Sequence, residues 1–181
     1  MEINFKDISQ IIIPVAAFVG MGLGIYNFWT ERSKRKVKVV VKPKSITRRY
    51  RNPETGAAGA ITSINEFCTE PLDSYFAIEA VNLSTFPVTV DNVGFELIKD
   101  DRRMSIVQPI FMDEGKWPRR LEQRESVTVY CSLPILLKDP GTCIIKNAFA
   151  ETSCDNFFRG KSEALKGLVR FANQLQQRRI T

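Results

Sequence analysis

The feature that most constrains this chain is an apolar run from residue 11 to residue 29, with a dense group of basic residues directly after it. The run contains no charged residue, and Asn27 is its only clearly polar side chain. A helix of roughly 20 residues, rising about 1.5 Å per residue, crosses a bilayer core of about 30 Å. The sequence therefore predicts a transmembrane helix within residues 1–30. Its anchoring side chains are Ile11, Ile12, Ile13, Phe18, Leu23, Ile25, Tyr26 and Trp29.

Other interpretations of the run are a signal peptide, a buried core helix and a pilin-type helix. A signal peptide begins with several bases and ends at small residues, but here Lys6 is the only base before the run and no Ala-x-Ala follows it. A pilin-type helix carries an acidic residue just inside the run, which this sequence lacks. A buried core helix is the main alternative, and it requires the rest of the chain to wrap around it.

The basic residues after the run predict its orientation, because positive charge stays on the cytoplasmic side of a membrane. We expect a single-pass protein of the bacterial inner membrane, with its N-terminus outside and its body in the cytoplasm. The predicted contacts with anionic lipid headgroups are Arg32, Lys34, Arg35, Lys36 and Lys38.

Two glycines suggest how such helices could pair. Gly20 and Gly24 are four residues apart, the spacing at which helices in membranes pack closely against each other. A homo-oligomer formed through this helix is therefore one expected partner arrangement.

The net charge of +6 is unevenly distributed. Residues 31–51 contain ten basic residues and one acidic residue, and residues 159–181 contain six and one. Between them, residues 52–158 contain nine basic and sixteen acidic residues. A nucleic-acid-binding protein carries its basic surface on the folded body. The sequence therefore predicts a bilayer with anionic headgroups and an unknown protein as partners, and no nucleic acid.

Residues 31–161 have the pattern of a β domain. Apolar residues alternate with polar ones after residue 36, in residues 75–82 and in residues 127–133, and turn residues separate about seven short strands. We expect an immunoglobulin-like antiparallel β-sandwich with a long irregular loop at about 43–74, where breakers and small residues are frequent.

One predicted strand, residues 88–98, has an irregular period. Val88 and Val90 are even-numbered, whereas Val93, Phe95 and Leu97 are odd-numbered. A strand has a period of two, so an extra residue near position 91 or 92 is needed to keep all five side chains on one face. The sequence predicts a bulge or a tight bend there.

Residues 162–181 predict a C-terminal amphipathic helix with a basic tail. Ser162 is a suitable N-cap. Leu165, Leu168, Ala172 and Leu175 form an apolar stripe at helical spacing. The stripe fits a helix packed on the sandwich or lying on a membrane, and a partner-binding helix is the other interpretation.

Three segments of the body resemble small bacterial and phage-borne membrane-anchored proteins of uncharacterised function. They are residues 81–97, residues 117–122 and residues 148–153, and the resemblance covers most of residues 75–161. It implies the fold and brings no catalytic or binding residues with it. Those proteins often have glycine before the strand at Val127, where this chain has Arg124, so the turn is expected to differ.

The chain contains no histidine, which removes Ser–His and Cys–His nucleophile pairs and histidine-based zinc sites. Two acidic pairs, Asp100–Asp101 and Asp113–Glu114, lie in predicted loops, where solvated turn residues are the simpler interpretation. The Asp91–Asn92 pair at the predicted bulge is interpreted as a turn. Cys131 and Cys143 are interpreted as inert buried thiols, and no cofactor is predicted.

These observations predict a non-enzymatic protein that displays an immunoglobulin-like domain at the cytoplasmic membrane face for protein–protein interaction. Two alternatives stay open. One is a metal-dependent enzyme or accessory subunit that uses the loop carboxylates. The other is an exported envelope or adhesion module, with disulfides among Cys68, Cys131, Cys143 and Cys154.

Overall fold

The structure, a computed structural model, describes residues 5–51, 58–68, 75–98, 102–113 and 115–180. The chain divides into two compact units, Met1–Lys36 and Val37–Thr181. The second unit, called the body below, includes the C-terminal helix as well as the sheets.

The first unit is a single long helix, α1, Phe5–Lys34. Its side chains are described from Val15 onward, apart from that of residue 33, and the large apolar ones are mostly exposed, from 54% for Ile25 to 73% for Trp29. They include Val15, Phe18, Val19, Met21, Leu23, Ile25, Tyr26, Phe28 and Trp29.

The predicted localisation, a single-pass protein of the inner membrane, is wrong. Among the described residues, no helix has the length and the apolar character needed to cross a membrane.

The described part of the body contains nine strands, two α-helices and one short 3₁₀ helix. The strands are β1 Val39–Arg51, β2 Ala58–Ser63, β3 Tyr75–Asn82, β4 Val88–Leu97, β5 Arg103–Ser105, β6 Arg119–Leu121, β7 Ser126–Ser132, β8 Ile145–Thr152 and β9 Phe157–Gly160. The helices are α2 Leu133–Lys138, the 3₁₀ helix Pro140–Ile144 and α3 Glu163–Ile180.

The strands form two antiparallel sheets that share one hydrophobic core. The first sheet has the order β2-β1-β3-β7, and the second has the order β5-β4-β8-β9, with β6 paired to β4. Phe76 of the first sheet and Phe95 of the second meet in the core, with ring centroids 6.0 Å apart. The prediction of a mainly β fold with antiparallel sheets is therefore confirmed.

The prediction of an irregular loop from residue 43 to residue 74 is wrong in part. β1 continues through Pro43 to Arg51, and β2 pairs with its second half from Ser45 onward. Pro43 lies where β1 pairs only with β3, so its missing N–H interrupts no second ladder. Residues 52–57 and 69–74 of the predicted loop lie outside the described residues.

The predicted bulge in β4 is confirmed. The pairing between β4 and β8 shifts register between Val90 and Asn92. Because of that shift, Val88, Val90, Val93 and Phe95 are all buried on one face of the sheet.

The C-terminal helix α3 packs against the sheets of the body. The hydroxyl oxygen of Ser162 accepts a hydrogen bond of 3.0 Å from the N–H of Leu165, as expected of an N-cap. Ala164, Leu165 and Leu168 are buried in the shared core. The apolar stripe of α3 therefore packs against the core of the body.

The turn before β7 has the conformation that the expected glycine would favour. Arg124 has a φ of 63°, in the left-handed region where a side chain is strained. Its N–H still donates to the carbonyl oxygen of Asn82 at 2.9 Å, so the turn closes with arginine in the place of glycine.

A fully buried amide, Asn82 at the end of β3, joins the two sheets. Its Nδ2 donates to the carbonyl oxygens of Phe86, Leu121 and Glu122 at 2.9, 3.1 and 3.2 Å. Its Oδ1 accepts from the N–H of Ser84 at 2.8 Å. One side chain thus ties β3 to the β3–β4 connection and to the end of β6.

We expect Asn82→Ala to lower the free energy of unfolding by about 2–4 kcal/mol, because it leaves several buried backbone groups without partners. Urea unfolding followed by circular dichroism measures this. The control is Asn173→Ala, since the amide of Asn173 also donates to two carbonyl oxygens but is exposed. An equal loss in both variants would contradict the proposed importance of burial.

Candidate functional site

An apolar cavity of the body lies where both sheets end. β7 is the edge strand of the first sheet and β5 is the edge strand of the second. The cavity, called the edge groove, has a volume of about 290 Å³ and separates these strands, and α2 closes one end of it. Its lining residues are Phe95, Met104, Ser105, Ile106, Gln108, Ile110, Tyr130, Cys131, Ser132, Ile135, Leu136 and Asp139.

Apolar side chains lie in the groove and along its rim. α2 buries Leu133 and Leu136 in the core, so Ile135 between them faces outward and is 71% exposed. Ile110 and Met112 are also exposed, and Val107 on the same segment is 86% exposed. This concentration of exposed large apolar side chains on the body is typical of an interaction surface.

The backbone also offers hydrogen-bonding groups to the groove. Tyr130 exchanges two hydrogen bonds with Ile110, at 2.9 and 3.3 Å, so its backbone groups point away from β3. Alternation along an antiparallel strand directs the N–H of Ser132 the same way, whereas its carbonyl belongs to the N-cap of α2. On β5, Ile106 donates to Val93 on β4, so alternation turns the backbone groups of Ser105 toward the open side.

Two protic side chains of the groove, the Tyr130 hydroxyl and the Cys131 thiol, keep their protons. Burial raises the pKa of the Tyr130 hydroxyl, and the nearby carboxylates of Glu79 and Asp113 raise it further. Burial also raises the pKa of the Cys131 thiol, which donates to the carbonyl oxygen of Phe76 at 3.1 Å. Neither Tyr130 nor Cys131 is therefore an activated nucleophile.

A second group of polar side chains lies on the outer face of the β5-β4-β8-β9 sheet. The buried carboxylate of Glu96 accepts three hydrogen bonds from Arg159, at 2.9–3.1 Å, and another from Nδ2 of Asn147. Arg103 and Arg159 both stack on the ring of Phe157, at 4.2 and 4.7 Å from its centroid. Because the Glu96 carboxylate is paired with Arg159 and Asn147, the cluster stabilises the sheet.

Arg159 determines the ionisation of Glu96. Its hydrogen bonds lower the pKa of the Glu96 carboxyl from 4.5 to about 2, against the opposing effect of burial, and Asn147 contributes in the same direction. Oδ1 of Asn147 is buried and accepts no hydrogen bond from the described residues. Among the described side chains of the cluster, this oxygen is the one buried polar atom without a partner.

The residues predicted as a membrane anchor all lie on α1. Ile11, Ile12 and Ile13 belong to the helix, but their side chains are outside the described set. Phe18, Leu23, Ile25, Tyr26 and Trp29 are exposed. Around Gly20 and Gly24, no described atom lies within 4 Å of the position that a Cβ would occupy.

The predicted basic residues extend from the end of α1 into the body. Arg32 and Lys34 are in the last turn of α1, where Lys34 forms an ion pair of 3.1 Å with Glu31. Arg35 and Lys36 follow the helix. The N–H of Lys38 donates to the hydroxyl of Ser84 at 2.8 Å, so this residue begins the folded body.

Of the four carboxylates in the predicted pairs, Asp113 lies among the described residues. Asp113 forms an ion pair of 2.8 Å with Arg119, and that hydrogen bond lowers the pKa of its carboxyl. Asp100, Asp101 and Glu114 lie outside the described residues. Among the described residues, no group of three or more His, Cys, Asp or Glu side chains is placed to hold a metal ion. The metal-dependent enzyme stays a prediction.

The remaining candidates from the sequence are the cysteines and the Asp91–Asn92 pair. Cys68, Cys131, Cys143 and Cys154 are all free thiols in this structure, and burial raises the pKa of Cys143 as well. Asn92 lies at the bulge and donates to Glu151 at 3.2 Å.

The edge groove is not evident from sequence patterns. Its lining comes from β4, β5, β7, α2 and the segments between them, which are distant from one another in sequence. The alternating pattern also hid α2, because it predicted that the β7 strand continues through Leu133, where α2 begins. The available signal was the apolar sequence from residue 133 to residue 137, with Pro134 in the first turn of α2.

No protein-family model matches the chain, and comparison with curated proteins and with solved structures finds no match. The resemblance to small membrane-anchored bacterial and phage-borne proteins therefore stays a prediction.

We expect the Glu96–Arg159 pair to stabilise the fold above about pH 4.5 and to lose that effect as the pH falls toward 2, since the folded-state pKa is the lower one. Glu96→Gln should cost on the order of 1–2 kcal/mol at pH 7, because Arg159 is half exposed and water screens the pair. Urea unfolding should show that the difference in unfolding free energy between wild type and Glu96→Gln is smaller at pH 3 than at pH 7.

The matched control for this pH experiment is Glu122→Gln, since the Glu122–Arg120 ion pair is exposed at both ends. It should change stability little at either pH. A difference between wild type and Glu96→Gln that stays constant from pH 7 to pH 3 would contradict the assigned role of the pair.

Proposed function

We propose that this protein is a non-enzymatic interaction module whose edge groove binds an extended apolar segment of a partner protein. The observation that carries the proposal is the exposed apolar rim, Ile135, Ile110 and Val107, beside two edge strands. Large exposed apolar side chains on one part of a folded body favour a protein partner.

We also propose that the body is immunoglobulin-like. In that fold, strands A, B and E neighbour one another in one sheet, and strands C′, C, F and G form the other. β1, β3 and β7 follow the first order, and β5, β4, β8 and β9 follow the second. On this assignment the groove lies between strands C′ and E, and β2 and β6 are additions.

The groove favours an extended peptide over a helix. The backbone groups of Ser105 and the N–H of Ser132 face the opening, and an added strand could form hydrogen bonds with them. Alternate side chains of such a strand point to the same side, so its apolar residues could enter the cavity together. A cavity of about 290 Å³ accommodates a few side chains, which suits a short segment and a transient complex.

The direct test is selection of random peptides displayed on phage against the full chain. We expect enriched sequences with apolar residues at alternate positions, because an extended segment would place every second side chain in the groove. Ile135→Asp should weaken binding of the selected peptides by at least about tenfold, since it places a charge in the apolar contact.

The matched control for the peptide experiment is Leu83→Asp, since Leu83 is also exposed on the body but does not line the groove. It should bind the selected peptides as wild type does. The proposal is wrong if no sequence is enriched, or if both variants lose the peptides equally.

The exposed helix α1 supports a second candidate function, self-association. Its large apolar side chains are more than half exposed on all sides, and contact between copies would cover them. Gly20 and Gly24 lie four residues apart on one face of α1, and this spacing allows close approach of a second helix along that face.

We expect the full chain to form oligomers that Gly20→Leu and Gly24→Leu weaken, because each adds bulk on the face with small residues. Sedimentation velocity at several protein concentrations measures the assembly. Gly22→Leu is the matched control, since a residue two positions away faces the other side of the helix. A monomer at every concentration, or equal effects of all three variants, would contradict this candidate.

A further inference from the structure

A second cavity of the body is lined by basic side chains. It has a volume of about 230 Å³ and lies between the start of β8 and the first turns of α3. Four cations line it, Lys146, Lys161, Lys166 and Arg170, together with the hydroxyl of Ser162. We call this cavity the basic pocket. It shares no lining residue with the edge groove.

The charge of the basic pocket is only partly neutralised. The carboxylate of Glu163 pairs with Lys166 at 2.6 Å and with Arg170 at 3.9 Å, but Glu163 does not line the pocket. Lys146 and Lys161 form no ion pair with any described residue. The pocket is therefore lined by positive charge with no acidic side chain among the described residues of its wall.

The available hydrogen-bond donors in the pocket are side chains. Two first-turn N–H groups of α3 are already used, since that of Ala164 donates to the carbonyl oxygen of Ile64 and that of Leu165 donates to the hydroxyl oxygen of Ser162. The hydroxyl of Ser162 keeps its own hydrogen for donation. Recognition of a ligand here depends on the lysine and arginine side chains and on this hydroxyl, and not on the helix terminus.

The size and the walls of the pocket limit the ligand. Sites for drug-sized molecules begin at roughly 300 Å³, so this cavity suits something smaller. Ile145, Leu165 and Val169 supply an apolar wall beside the cations. A small ligand with an anionic group and a short organic part matches both features.

We propose that the basic pocket binds a small phosphate monoester. Such a group carries close to two negative charges at pH 7 and several acceptor oxygens, which suits a cavity with four cations in its lining. A phosphodiester carries one charge and is flanked by substituents on both sides. We therefore expect the pocket to bind a terminal phosphate more tightly than the phosphates within a nucleic-acid backbone.

The test titrates the full chain with glycerol 3-phosphate, inorganic phosphate and dimethyl phosphate, using calorimetry and chemical-shift changes of backbone amides. We expect saturable binding of the first two, amide shifts around residues 145–146 and 161–170, and weaker binding of the diester. Binding should weaken as the salt concentration rises.

Two double variants and one single variant test whether the monoester binds in the basic pocket. Lys146→Gln with Lys161→Gln should weaken monoester binding about tenfold or more. The matched control, Lys116→Gln with Lys138→Gln, removes the same charge from exposed lysines outside the pocket and should leave binding unchanged. Glu163→Gln should strengthen binding severalfold, because it releases Lys166 and Arg170 from their ion pairs.

The proposal is overturned if no probe binds saturably, if both double variants lose binding equally, or if dimethyl phosphate binds as tightly as the monoester. All these variants change exposed side chains, and thermal unfolding should show wild-type stability for each. None of these results bears on peptide binding at the edge groove, because the basic pocket and the edge groove share no lining residue.

Discussion

The body depends on one buried amide that holds the ends of its two sheets together. Asn82 satisfies carbonyl oxygens at Phe86, Leu121 and Glu122 with a single NH₂ group, although such a group has only two hydrogens, so these bonds are shared. Buried backbone carbonyls cost free energy when they lack partners. The amide therefore determines where the β3–β4 connection and the end of β6 lie relative to β3, and with them how the sheets meet.

Two edge strands, β5 and β7, each have one open edge at the edge groove. β5 has only three residues, and α2 begins directly after β7, so neither edge extends far. Short edge strands reduce pairing with unrelated chains. Ile110 covers part of β7 by pairing with Tyr130, and the apolar side chains around it stay exposed. The groove is thus a restricted opening at this side of the core.

Some of this architecture was predictable from local patterns. The uneven spacing of apolar residues in β4 predicted its bulge, and the Ser162 cap with its apolar stripe predicted α3. Prediction from local composition was weakest where long-range strand pairing overrides it, and Pro43 is an example. Proline there was interpreted as part of a loop, but the structure tolerates it inside β1 because β1 pairs with only one neighbouring strand at that position. α2 and the edge groove were missed because a five-residue apolar sequence has the same appearance in a strand and in a short helix.

The sequence alone determined that residues 11–29 form a helix and that the body is mainly β, because apolar spacing reflects the period of each element. It did not determine the surroundings of that helix, and the predicted membrane localisation was wrong. Only the tertiary structure placed Ser105 opposite Ser132 in one groove and brought Lys146 beside α3 in one pocket. Both sites join residues that are distant in sequence, and the contacts that position them come from the packing of the sheets and α3 around a shared core.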